Sequence, residues 1–346
     1  MAVVAISVII NGNKKLGDVL ANWDVQHFLA IAEKGYVETN DVAFFPLWPL
    51  LLKLIPLSGM PVIATASLLA AGFSLLAVFA LYRLGGRGAA IAWLLAPTAV
   101  FTVVPYTESL FCAAAFWAWE RAGKQRWGQA AVLAAIASGV RISGLFLIGA
   151  LAIYALTQQL QDPANPGQFE KLIARGKRLL WLLLPLAVLA GFAVYLFWLR
   201  GSWTSWYEAQ AAGWNRGFTW PWETFQHTLA AASPDYAPGH PEWHWMFKTE
   251  IISWLVGLIV TGVCLFRRNW AEAGWVGVQV AAFSTSHWLI SVSRATLLWF
   301  PLWTQLGKLG ETRSASLRYA LLGLAVVMLI VQQLWAWFFF TGAWAS

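Results

Sequence analysis

Charged and titratable residues are rare in this chain, so the places where they gather are where its chemistry is to be sought. The densest gathering runs from Asn22 to Pro49, NWDVQHFLAIAEKGYVETNDVAFFPLWP, and holds Asp24, His27, Tyr36 and Asp41 between apolar runs. Leu16, Leu20, Trp23, His27 and Ile31 recur at steps of three and four, which predicts one helical stripe over Leu16–Lys34, and Gly35 stands where helices usually end. On such a helix Asp24, His27 and Phe28 share one surface, because residues three and four apart are neighbours. A carboxylate fixed there, enclosed by a substrate, suits a general base. The competing reading is a helix-start carboxylate: with Asn22 as N-cap, Asp24 stands in the first turn, where the macrodipole favours a negative charge. His27 is placed to hydrogen-bond Asp24 or a phosphate, or else to sit as a half-buried imidazole at an interface. Asp41 is a weaker carboxylate candidate and reads as a turn residue. After it, Phe44-Phe45-Pro46-Leu47-Trp48-Pro49 is expected to be a short, broken, aromatic segment at a membrane surface, since each proline removes a donor and disfavours helix just before it.

Three more charges are isolated in apolar surroundings: Glu108 in P-Y-T-E-S-L-F, Arg141 in V-R-I-S-G and Arg294 in S-V-S-R-A-T-L-L-W-F-P-L. A charge at membrane depth is costly unless paired. Glu108 is the structural partner available to Arg141; a substrate phosphate is the functional partner for Arg141 and Arg294. Transfer of a group from a lipid phosphate needs a base for the acceptor hydroxyl and cations for the departing phosphate. In W-Y-E-A-Q-A-A-G-W-N-R-G-F-T-W-P-W, Gln210, Trp214, Arg216 and Trp220 offer flat faces and hydrogen bonds that suit a sugar, although tryptophans also anchor loops at membrane interfaces. There is no H-E-x-x-H, D-x-D or Cys/His cluster, so no metal site is predicted.

The elements that must position these residues are membrane helices. The chain is 59% hydrophobic and 11% charged, against roughly 25% charged in ordinary soluble chains. Uncharged runs long enough to span a bilayer are clearest at Met60–Tyr82, Leu179–Leu199 and Tyr319–Thr341. The net charge of +7 is not a nucleic-acid signal. Most Lys and Arg lie in short loops, Arg83–Arg87, Arg121–Arg126, Lys171–Arg178, Arg267–Arg268 and Lys308–Arg318, which the positive-inside rule makes cytoplasmic. Two hairpins of short or re-entrant helices follow: Ala89–Trp119, with its tip near Pro97–Glu108, and Gly128–Thr157, with its tip at Arg141–Gly144. Gln158–Gln168 reads as a turn-rich cytoplasmic loop. Residues 16–49, the tips, the long hydrophilic stretch in residues 200–249 (Gly201–Thr249) and Ser291–Thr296 then face the opposite side together. The 24 tryptophans, many flanking the spans, read as interfacial anchors. Cys112 and Cys264 read as small buried hydrophobes without a disulfide. No repeat or linker divides the chain, and a single membrane domain over residues 1–346 is expected.

The pattern W-D-x-x-H-F-x-x-I-A-x-x-G-Y, followed by A-F-F-P-L-x-P, resembles the first extracytoplasmic loop of the PIG-V-type mannosyltransferases, and the chain looks like a bacterial-type member. The resemblance implies a GT-C-like transmembrane helix bundle with short juxtamembrane helices in that loop. It implies transfer, with inversion, of mannose from a polyprenyl-phosphate donor to a glycan or glycolipid acceptor on the extracytoplasmic face. By the same resemblance Asp24 is the catalytic base. His27, Tyr36, Glu108, Arg141, Gln210, Trp214, Arg216 and Arg294 are the substrate-binding residues, and no cofactor beyond the lipid-linked sugar is called for. The family normally carries a complete transmembrane helix just before W-D. Met1–Ile10 is half a span without the charged front and cleavage site of a signal peptide, so either that helix is short and slanted or the reading frame extends upstream.

The sequence thus reads as an all-α polytopic membrane protein, multi-pass in a plasma membrane if bacterial and in the endoplasmic reticulum if eukaryotic. Its partners are the bilayer, a lipid-linked sugar donor and a sugar-bearing acceptor, with no nucleic acid. The rival class is a transporter or flippase of lipid-linked sugars, which would place its key charges at the midplane of repeated, broken helices. A structural scaffold leaves Arg141, Glu108 and Arg294 without a role.

Overall fold

The computed structural model describes residues 1–158, 168–312 and 314–345. Among them every regular element is helical and no strand occurs. The chain opens with α1 (Ala2–Gly12), α2 (Leu16–Leu20) and α3 (Asp24–Lys34). The single helix expected over Leu16–Lys34 is therefore broken in front of Asp24. Long-range contacts make the break. Asn22 does not cap α3; its Nδ2 donates to Val19 O and, 2.8 Å away, to Phe339 O. Trp23 sits at φ 57°, ψ −126°, a conformation rare for a side-chain-bearing residue, and its indole donates to Ala343 O.

The next segment also departs from expectation. Leu47–Leu54 forms α4 directly after Pro46, with Pro49 in its first turn. A proline there lacks a donor that no intrahelical acceptor would have met, so these prolines begin a helix rather than interrupt one. Trp48 is fully buried and donates to Pro105 O at 3.0 Å, which makes the segment core rather than membrane-surface anchor.

α5 (Val62–Leu94) kinks at Gly85–Gly86, where Gly86 takes φ 74°. α6 (Glu108–Gly123), α7 (Trp127–Val140) and α8 (Ser143–Thr157) have 16, 14 and 15 residues. Each is too short to cross a bilayer, which needs about 20, as the hairpin reading anticipated. They lie close because their contact faces are alanine-rich: Ala114, Ala118, Ala122, Ala130, Ala134 and Ala137 are all buried. α9 (Gln168–Trp181) and α10 (Leu183–Arg200) follow; the loop expected at Gln158–Gln168 falls, except at its ends, outside the described residues. The long hydrophilic stretch folds into α11 (Ser205–Trp214) and α12 (Pro221–Ala231), and then runs without interruption from Pro241 into α13 (Pro241–Phe266). Residues 241–249 thus belong to a long helix rather than to a loop. α14 (Trp270–Phe283), α15 (Val292–Ala295), α16 (Phe300–Gly310) and α17 (Ala315–Thr341) complete the chain.

Four helical stretches among the described residues are long and apolar enough to cross a membrane: Val62–Leu94, Leu172–Arg200, Pro241–Phe266 and Ala315–Thr341. The protein is an all-α polytopic membrane protein. Both cysteines are buried and free.

The turn around α15 shows how irregular backbone survives in such surroundings, where every polar group must find a partner. The fully buried Glu250 of α13 accepts N–H groups from Ser291 (3.0 Å) and Ser293 (2.9 Å). Three buried indoles serve the carbonyls beyond: Trp303 donates to Thr296, Trp93 to Leu297 and Trp275 to Leu298, at 3.0–3.1 Å. These tryptophans, with Trp48 and Trp299, fill the core, so the reading of tryptophans as interfacial anchors does not extend to these five. The purpose of the clamp is visible at its centre: it holds Arg294.

Candidate active site

Asp24 is the first residue of α3, and its N–H donates to the hydroxyl of the buried Tyr106 at 3.2 Å. Its carboxylate is turned to Arg294, whose Nη1 donates to Oδ2 at 2.9 Å. Arg294 Nε lies 3.1 Å from Glu108 Oε1, and Arg141 pairs with the same Glu108 oxygen while donating to Thr107 Oγ1 at 3.1 Å. The result is an alternating chain, Asp24–Arg294–Glu108–Arg141, assembled from α3, α15, the start of α6 and the α7–α8 turn. Glu108 is wholly buried, whereas the Asp24 and Arg294 side chains keep 17% and 11% of their surface open. The Arg294 guanidinium also lies over the rings of Phe101 and Tyr106, 5.4 Å from each. Both members of the Asp24–Arg294 pair follow a residue with positive φ, Trp23 at 57° and Ser291 at 63° near the start of its turn. Such backbone strain persists where the surroundings over-determine it.

Arg216 sits on the turn after α11 and is differently placed. Its Nη1 reaches Gln210 Oε1 at 3.4 Å and its Nη2 reaches Ser291 Oγ at 3.2 Å and Ile290 O at 3.4 Å, while Nε is buried and unpartnered. Among the described residues no carboxylate pairs with it. Burial, and then the like charge of Arg294, push its guanidinium down to about 10.

Three cavities meet at Asp24, and Trp214 lines all three as well. The first, about 450 Å³, is walled by aromatic rings, among them Trp243 and Phe247 at the start of α13 and Trp344 beyond α17. The second, about 90 Å³, is cationic, with Arg141, Arg216 and Arg294 in its wall beside Thr107 and Gln210. The third, about 400 Å³, is lined by Asn22, Gln26, His27 and Asn40.

Of the residues singled out from the sequence, Asp24, Glu108, Arg141, Gln210, Trp214, Arg216 and Arg294 converge here. His27 lies beside them but does not bond Asp24: its Nδ1 lies 3.0 Å from Oδ1 of Asp41, and its ring stacks on Phe44. The one-helix reading paired the imidazole with the wrong carboxylate, because Asp41 reaches it only once the chain has turned back through Asn40–Ala43. Tyr36 is outside the cluster. Its hydroxyl donates to Phe44 O at 2.9 Å, its ring packs on Phe192 and Tyr195, and it lines none of the cavities that Asp24 lines. Tyr106 and Glu250 were not picked out from the sequence. Tyr106, two residues before Glu108 in P-Y-T-E, carried a local signal; Glu250, in an ordinary amphipathic stretch, carried none.

Fold and site together define a membrane protein built around a helix-start aspartate and a buried relay of alternating charges. The chain belongs to the mannosyltransferase (PIG-V) family, whose family model matches residues 3–207. It is similar to the rat protein GPI alpha-1,6-mannosyltransferase 2, at 36% identity over 151 residues that make up 38% of this chain and 31% of the rat protein. The human protein of the same name is 35% identical over 151 residues, with the same coverage. The chain thus spans about a third of the length of the curated relatives it matches. No solved structure matches it.

Proposed function

We propose that this protein transfers a mannosyl residue from a polyprenyl-phosphate donor to a sugar-bearing acceptor, with inversion, at the extracytoplasmic face of the membrane. The observation that carries the reading is the position of Asp24, partly open where the three cavities join, with cations lining one of them. In the reaction the acceptor oxygen forms a bond to the anomeric carbon as the bond from that carbon to the phosphate oxygen breaks. The acceptor proton passes to the Asp24 carboxylate, and the electron pair leaves with the lipid phosphate. Arg294 holds the carboxylate by one oxygen and so orients it. The small cavity suits the phosphate: Arg216 brings a guanidinium with no carboxylate partner among the described residues, and Arg141 and Arg294 add charge that their carboxylates already share. The aromatic cavity, between the start of α13 and the end of α17, suits the apolar part of the donor. The extracytoplasmic side is supported by the positive-inside rule, since the clusters of Lys and Arg lie in other segments of the chain from Asp24, Arg216 and Arg294.

The test is transfer of label from radioactive polyprenyl-phosphate mannose by the purified protein in proteoliposomes. Wild type is expected to move label to an acceptor, and Asp24→Asn to lower turnover about 10²–10⁴-fold, the contribution of a positioned base. Unimpaired turnover in Asp24→Asn, or label that crosses the bilayer still on its lipid, would defeat the reading.

A further inference from the structure

The third cavity at Asp24 has a chemistry of its own. Apart from Asp24, no carboxylate, lysine or arginine lines it among the described residues; its wall includes Asn22, Gln26, His27, Asn40, Gly213 and Trp214. With the cationic cavity it shares only Asp24 and Trp214. A phosphate meets no lysine or arginine here among the described residues, whereas a neutral polyhydroxylated ring meets groups that suit it. The amides of Gln26 and Asn40 make no hydrogen bond among the described residues, and each offers a donor and an acceptor, the combination that adjacent hydroxyls require. Asn22 is different, its Nδ2 being held by Val19 O and Phe339 O. Trp214 adds a flat face, fixed against Phe44 at a centroid distance of 5.4 Å and against His27 at 6.0 Å.

His27 is the most constrained of these groups. The buried Asp41, 2% exposed, takes its Nδ1 at 3.0 Å, and the N–H of Glu38 donates to the other Asp41 oxygen at 3.3 Å. A carboxylate on Nδ1 sets the ring's orientation and tautomer, leaving Nε2 as its remaining polar atom. The imidazole keeps 35% of its surface open. Gly213 completes the cleft by what it lacks. A Cβ there would already touch Cγ and Oδ1 of Asn40 at 3.4 Å, so the further atoms of a leucine have to compete for space beside that amide.

We propose that this cleft is the acceptor site: a hydroxylated sugar ring stacks on Trp214, is held by Gln26, Asn40 and His27, and presents one hydroxyl to Asp24. The proposal rests on the transferase reading, but its test separates the two. The probe is an octyl α-mannoside carrying a photoreactive diazirine, cross-linked to the full-length protein in nanodiscs, with adduct positions mapped by mass spectrometry and methyl α-mannoside as competitor. Competed adducts are expected on Gln26, His27 and Asn40, which line neither of the other two cavities. Gly213→Leu should abolish them by filling the cleft. Asn40→Ala, which adds no bulk, should weaken labelling about 2–12-fold, as loss of one hydrogen bond does. Asn40→Ala should bind polyprenyl-phosphate mannose as tightly as wild type, whereas Gly213 also walls the aromatic cavity given to the donor, so Gly213→Leu is read by its adducts alone. Competed adducts beside Arg141 and Arg216 or on Phe247 and Trp288 would overturn the proposal. So would the absence of any competed adduct, or unchanged labelling in both variants. A wild-type protein that takes no polyprenyl-phosphate mannose counts against the transferase reading alone, since the adduct positions decide the cleft by themselves.

Discussion

Two turns bring an arginine to the same cavity and treat it in opposite ways. The turn around α15 delivers Arg294 into contact with two carboxylates, Asp24 and Glu108, and the clamp of Glu250 and three indoles leaves that turn little freedom. The turn after α11 delivers Arg216 to carbonyl and hydroxyl oxygens only. Burial and then Glu108 and Asp24 act in opposite directions on Arg294, and the carboxylates win, holding its pKa above the ordinary arginine value. For Arg216 burial wins. One cation is satisfied by the protein, and the other lacks a counter-ion that an anionic substrate can supply. This teaches that a cation in a membrane protein is read better from what it is paired with than from how deep it lies.

The largest effect follows from removing the satisfied one. Arg294→Met leaves Glu108 to Arg141 alone and Asp24 without its partner. Breaking such a pair is expected to cost about 3–5 kcal/mol, seen as a large fall in melting temperature together with loss of turnover. Arg294→Lys keeps the charge without the fork and should recover part of the stability. A melting temperature unchanged in Arg294→Met would erase the distinction between the two turns.

Arg216→Met should act on the donor instead. It is expected to leave the melting temperature of the donor-free protein equal or higher, because an uncompensated charge is exchanged for apolar volume. It should also weaken polyprenyl-phosphate mannose binding about 10–150-fold, the worth of one charged hydrogen bond. Destabilisation on the scale of Arg294→Met would mean that Arg216 has a structural counter-charge after all.

A smaller effect is expected at the clamp. Glu250→Gln keeps one acceptor but aims N–H groups at the N–H of Ser291 or Ser293, a mismatch that costs about 1–3 kcal/mol. Because that turn carries both Arg294 and the Ser291 contact of Arg216, donor affinity should fall as well as melting temperature. A fall in melting temperature alone would limit Glu250 to the fold.

Much of this was legible in the sequence, and the remainder was hidden for identifiable reasons. The spans and the short hairpins followed from apolar runs and basic turns, although the start of α13 hid behind its own Trp, Pro and His residues. Glu108, Arg141 and Arg294 stood out because a charge in an apolar run has to be explained. Arg141–Glu108 was a foreseen pair, whereas Asp24–Arg294 joins residues 270 positions apart, which no local pattern encodes. The break before Asp24 was illegible for the same reason, being made by Asn22 and Trp23 bonding to the far end of the chain. Pro46 and Pro49 misled because a proline reads as a breaker until one knows which turn of the helix it occupies.

The smallest effect concerns pH and tests the comparison at Arg216 directly. Its pKa of about 10 in the folded protein lies below the ordinary arginine value of 12.5. Between those two values the unfolded chain binds the proton more tightly than the folded one, so the stability contributed by this group rises with pH there. Below about 10 the cost of the buried cation is present in full. The measurement is therefore a difference: any margin by which Arg216→Met melts above wild type at pH 8 should narrow as the pH passes 10, while other groups titrate alike in both proteins. Donor phosphate supplies the missing charge and should raise the Arg216 pKa, so saturating donor is expected to remove the narrowing from the wild-type curve. A margin that stays constant from pH 8 to beyond 10 without donor would show that Arg216 is no more burdened than a surface arginine, and that its lack of a carboxylate says nothing about a phosphate.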